Sequence, residues 1–162
     1  MTTPLIEESI DIDATPEQVW RVIADLKRMG EWSPQCKKMI VRGPVGLGTK
    51  TININRRGPL VWPTTAKVVR FAPNQELGFR VTENHTVWSY TITPKNPGTP
   101  KNPGTATGSG VVVTERREVP GSTTAVSRVL IDKLLGGTES FEAELKVGMA
   151  ETLGKIKRAA EA

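Results

Sequence analysis

Few residues in this 162-residue chain are able to do chemistry. His85 is the only histidine and Cys36 the only cysteine. Two-histidine metal sites, cysteine-based zinc sites and an intrachain disulfide are therefore excluded. No Ser-x-x-Lys or Gly-x-Ser-x-Gly nucleophile signature occurs. The glycine-rich run Gly43-Pro44-Val45-Gly46-Leu47-Gly48 lacks both the spacing of a phosphate loop and its following Lys-Ser/Thr. No cofactor is expected. One arrangement carries weight. Val111, Val113, Glu115, Arg117 and Val119 alternate along the more apolar face of a strand. Glu115 and Arg117 then point inward, two residues apart, unless a bulge reverses the parity and leaves both in water. Buried together, they would partly neutralise one another and orient a polar head group.

The element that must face these residues is the last one. From Thr138 to about Ala160, a helical wheel puts Phe141, Leu145, Met149, Thr152, Leu153, Ile156 and Ala160 on one face, with Val147 the apolar outlier on the other. Thr138 is placed as the N-cap, acidic residues sit in the first turn and Lys155, Lys157 and Arg158 in the last, as the helix dipole favours. Gly148 lies at the edge of the inward face. It either leaves room there or lets another segment approach closely.

The rest of the chain reads as strands. Ile6, Ile10 and Ile12 alternate with polar residues in a first strand. Asp13-Ala14-Thr15-Pro16-Glu17-Gln18 is a capping box with proline at the first helical position. It starts a short helix whose apolar face runs through Val19, Trp20, Ile23, Ala24 and Leu26. Glu31-Trp32-Ser33-Pro34 is a turn, with Trp20 and Trp32 assigned to core packing. Six more strands follow, joined mainly by short turns, which predicts an antiparallel meander. Within it Ile52 and Ile54 alternate with Thr51, Asn53 and Asn55, and Trp88, Tyr90 and Ile92 share a face. By parity His85 lies opposite Trp88, at a strand end or on the outer surface. Between the last two strands the hexapeptide Thr93-Pro94-Lys95-Asn96-Pro97-Gly98 is repeated at once as Thr99 to Gly104. Residues 94–110 are read as a mobile hairpin loop.

Composition bounds the function. The length fits one domain, residues 1–162. No apolar run is long enough to span a membrane, and the N-terminus lacks a signal-peptide profile, so a cytoplasmic location is expected. The net charge of +5 comes from scattered pairs such as Lys37-Lys38 and Arg56-Arg57. Neither nucleic acid binding nor stable membrane insertion is expected from it, and the chain is read as a monomer or weak homodimer.

The run from Ile10 to Asp25, followed by Glu31-Trp32-Ser33-Pro34, resembles the N-terminal signature of the polyketide cyclase/dehydrase and lipid-transport family. That family belongs to the START-like, birch-pollen-allergen-like (SRPBCC) superfamily. The resemblance covers essentially the whole element order. It implies an α+β helix-grip fold, in which a seven-stranded curved antiparallel sheet wraps around the long C-terminal helix, with two short helices after the first strand. It also implies a largely apolar cavity between sheet and helix, and the duplicated Pro/Gly loop departs from the family's short hairpin. The residues expected to line the cavity are Ile52, Ile54, Trp88, Tyr90, Glu115, Arg117, Phe141, Leu145, Gly148, Met149 and Thr152. The expected ligand is an apolar small molecule, lipid or polyketide-like, bound or carried without chemistry. The alternative is a cyclase/dehydratase performing an aldol-type closure and water loss, with Glu115, Tyr90 or His85 moving protons.

Overall fold

Strand β1 (Leu5–Ile12) leads into helix α1 (Pro16–Ile23), and the local chemistry at the junction is as the sequence predicts. Thr15 Oγ1 accepts from the Gln18 amide at 3.2 Å while Gln18 Oε1 accepts from the Thr15 amide at 2.8 Å, so two amides at the helix start are satisfied reciprocally. The helix is shorter than its apolar face suggested. It ends at Ile23, and fully buried Leu26 sits instead in a 3₁₀ turn over Leu26–Arg28. The turn expected around Trp32 is partly helical, as α2 (Met29–Trp32). Trp32 is buried with the Arg28 guanidinium 4.7 Å above its ring, and Trp20 packs edge-on against Phe71 at 5.3 Å.

Six strands follow: β2 (Cys36–Val41), β3 (Lys50–Arg57), β4 (Leu60–Ala72), β5 (Glu76–Val81), β6 (Val87–Pro94) and β7 (Val111–Glu118). The chain closes with helix α3 (Thr138–Glu161). The structure, a computed structural model, describes residues 5–95, 110–119 and 138–162. Most of the duplicated Pro/Gly loop and the side chain of Phe141 lie outside the described residues. Among those described, seven strands form one antiparallel sheet in the order β1-β7-β6-β5-β4-β3-β2. The first strand therefore pairs with the last, as in a meander whose N-terminal strand returns to its far edge. Register shifts at Cys36/Lys38 and Val68/Arg70 mark irregularities that bend a sheet.

The sheet's concave face holds α3, and the helix divides into two halves. Leu153, Ile156 and Ala160 join the main core with Ile12, Val19 and Ile23. One and two turns earlier, Leu145 and Met149 pack with Ile6 and Trp88 in a separate, smaller cluster. Val147 is 69% exposed, the outlier that the helical wheel placed on the far side. The C-terminal end is tied down: Lys157 Nζ donates to the Asp11 carbonyl at 2.9 Å and Glu161 accepts from the Asp13 amide at 2.9 Å. On the convex face Lys50 stands opposite Lys67, and Lys67 opposite Arg80, all three exposed.

Candidate functional site

Between the N-terminal half of α3 and the sheet lies a cavity of about 950 Å³. Its helix wall is Leu145, Gly148, Met149 and Thr152; its floor includes Phe79, Trp88 and Tyr90; its rim is the α2–β2 segment through Pro34 and Cys36. Two glycines set the rim. A Cβ on Gly30 would lie 2.1 Å from the Lys37 carbonyl oxygen, so only glycine lets α2 rest on β2. A Cβ on Gly148 would meet Pro34 Cγ at 3.2 Å. Of the two readings of Gly148, close approach is the one realised, and Gly148 lines the cavity as well. Thr152 spends its hydroxyl within the helix, donating to the Gly148 carbonyl at 2.9 Å. At the mouth Arg57, from the β3–β4 hairpin, pairs with Glu144 of α3, Nε to Oε2 at 2.7 Å.

Strand β3 lines the cavity with the opposite face from the one expected. Thr51, Asn53 and Asn55 are buried, at 3–7% exposure, whereas Ile52 is 41% exposed. Ile52 pairs with exposed Ile40 on one side and Thr65 on the other, and Ile54 shares its outward parity and lines nothing in the cavity. The apolar-in assumption fails here because the inward polar groups satisfy one another. Thr51 Oγ1 donates to Asn53 Oδ1 at 2.9 Å; the Asn53 and Asn55 amides donate to Thr64 Oγ1 at 3.3 and 3.0 Å. A buried polar strip with its partners in place costs little. A Thr-Asn-Asn alternation matched by Thr64 on the next strand was the available signal.

On β7 the expected parity holds. Glu115 and Arg117 are each 3% exposed and both line the cavity. Their mutual neutralisation does not occur. Glu115 accepts a hydrogen bond from the Tyr90 hydroxyl, 3.1 Å from its Oε1. Its Oε2 is buried and accepts none. Burial pushes the carboxyl up to about 8, against the opposing effect of the Tyr90 bond. Arg117 is lowered by burial and held up by the charge of Glu142 on α3, not by Glu115. Tyr90 is raised well above its ordinary value, first by burial and then by Glu115. The Cys36 thiol is pushed by burial up to about 11, so it is a poor nucleophile. His85 is exposed with φ 60°, its Nδ1 3.1 Å from Arg80 Nη2; it takes no part in the cavity.

Eight of the eleven residues expected to line the cavity do so: Trp88, Tyr90, Glu115, Arg117, Leu145, Gly148, Met149 and Thr152. What the arrangement offers chemically is a largely apolar chamber with a neutral carboxylic acid and a hydrogen-bonded phenol in one wall.

A curved antiparallel sheet gripping a C-terminal helix defines the helix-grip fold. Residues 3–161 match the family described as polyketide cyclase / dehydrase and lipid transport, and the chain belongs to that family. Among solved structures it is similar to the Polyketide_cyc-like protein Cgl2372 from Corynebacterium glutamicum, with 30% identity over 97% of this chain and 91% of that one, TM-score 0.62. The fold is also shared with the Zhui aromatase/cyclase from Streptomyces sp. R1128, at 12% identity over 97% and 93% of the two chains, TM-score 0.68. A norcoclaurine synthase point mutant from Thalictrum flavum has the fold too, at 13% identity over 98% and 96%, TM-score 0.62. No curated protein matches the sequence. Among the described residues no helix is long and apolar enough to cross a membrane.

Proposed function

We propose that this protein binds and carries an apolar small molecule in the chamber under α3. The observation that supports this is the chamber itself. At about 950 Å³ it matches the roughly 300–1,000 Å³ of small-molecule sites. Leu145 and Met149 face it from a helix whose other half is fully packed. An empty space of this size forgoes dispersion contacts that a ligand restores. The protein purified without detergent is expected to carry, or to take up saturably, one equivalent of an apolar molecule, followed by native mass spectrometry and a naphthalene-based fluorescent probe. Leu145→Trp, which fills the chamber from the helix side, should abolish uptake. Absence of saturable binding in the wild type would sink the reading.

The Glu115–Tyr90 contact favours a second reading, a cyclase/dehydratase in which Glu115 moves the proton. A carboxyl poised near neutral pH suits general acid–base work. On that reading Glu115→Gln keeps ligand binding and loses turnover of a poly-keto substrate. The carrier reading is preferred because the only other histidine or thiol candidates are exposed, as His85 is, or held protonated, as Cys36 is.

A further inference from the structure

We propose that the Glu115 carboxyl is a recognition subsite, donating its acid proton from Oε2 to a carbonyl oxygen on an otherwise apolar ligand. The inference rests on the carrier reading and names the chemistry of what is carried. Its basis is geometric. Glu115 is 97% removed from solvent yet contributes to the chamber wall. One of its oxygens is engaged: Oε1 accepts from Tyr90. The other, Oε2, is buried without a hydrogen-bond partner. A polar atom left unsatisfied in such a place carries a desolvation penalty that a ligand group can relieve. With Tyr90 donating to Oε1, the subsite carries its acid proton on Oε2, the oxygen that has no partner in the folded chain.

The surrounding groups decide which ligand group fits. The carboxyl meets Tyr90 of β6; Arg117 follows two residues along the same face of β7, where the charge that acts on it is that of Glu142 on the helix opposite. Near Tyr90 lies Cys36 of β2, held as a neutral thiol. A cationic amine would require Glu115 to ionise, and would enter a wall that already holds the Arg117 guanidinium. A hydroxyl could accept from Oε2, but its own proton would then need a second acceptor placed to receive it. A ketone or ester carbonyl accepts and leaves no donor orphaned. Burial acts in the same direction, since it keeps the carboxyl protonated at neutral pH.

Two probes of matched shape separate this inference from the reading beneath it: 2-ethylnaphthalene and methyl 2-naphthyl ketone, which differ by a carbonyl in place of a methylene. Equilibrium binding of each is measured at about pH 6, where the acid holds its proton, to the wild type, Glu115→Gln and Glu115→Leu. The ratio of ketone to hydrocarbon affinity should fall about fivefold or more from wild type to Glu115→Leu, the equivalent of one net hydrogen bond. Glu115→Gln, whose amide also donates, should keep most of the ratio. The carbonyl stretch of the bound ketone should lie at lower frequency in the wild type than in Glu115→Leu. An unchanged ratio with both probes bound overturns the subsite and leaves the carrier reading standing. Failure of the hydrocarbon itself to bind overturns both.

Discussion

Glu115→Gln should make the protein more stable at alkaline pH and nearly isoenergetic with the wild type in mild acid. In the folded protein the Glu115 carboxyl is raised from its ordinary 4.5 to about 8 by burial. Between those values the folded state holds a proton that the unfolded chain has released, so wild-type stability falls as pH rises. The contribution is fully present below the unfolded value, is lost through about 8 and is flat beyond. At about 1.4 kcal/mol per pH unit the window corresponds to an effect of the order of 3–5 kcal/mol. Gln cannot ionise and should remove that slope. Glu118 and Glu144, held low by Arg70 and Arg57, act with the opposite sign at lower pH and are common to both proteins. Denaturant unfolding at about pH 5, 7 and 9 reads the difference. Parallel pH profiles would show that Glu115 is solvated. Had Glu115 been neutralising Arg117, the substitution would destabilise throughout this range; the structure reverses the sign.

The second large effect separates the two halves of α3. Leu153 is 1% exposed within the main core, so Leu153→Ala should cost about 2–5 kcal/mol, the transfer term plus the void it leaves. Leu145 belongs to the smaller cluster and already borders empty space. Leu145→Ala removes fewer contacts and should cost below about 2 kcal/mol, while admitting a bulkier probe. Equal costs at the two positions would mean that the chamber is filled in solution by repacking.

Those halves show what periodicity can and cannot reveal. The amphipathic face of α3 was readable because burial from Leu145 to Ala160 follows the 3.6-residue period throughout. The same period cannot say that Leu153 meets a core and Leu145 a cavity. That depends on the C-terminal end being tied to Asp11 and Asp13, 146 and 148 residues away. The capping box at Thr15 was readable because it is wholly local. On β3 the alternation was visible but its sense was not. Asn53 and Asn55 turn inward because Thr64, on another strand, offers them an acceptor. On β7 the parity of Glu115 and Arg117 could be read, and their partners could not: Tyr90 and Glu142 come from different elements.

The row formed by Lys50, Lys67 and Arg80 on the convex face has a consequence for how the protein responds to electrolyte. Like charges at directly opposed strand positions repel. All three side chains are exposed, so dissolved ions reach them. The screening distance shrinks from about 10 Å at 0.1 M salt to about 3 Å at 1 M. Across that range the repulsion between neighbours in the row is largely extinguished. Replacing the middle member, Lys67→Gln, should therefore raise the melting temperature in dilute buffer and make little difference in concentrated sodium chloride. A gain that persisted at high salt would point to packing as its source. The convex face is in this sense a spring held under load by low ionic strength, and adding salt relaxes it without touching the chamber on the other side of the sheet.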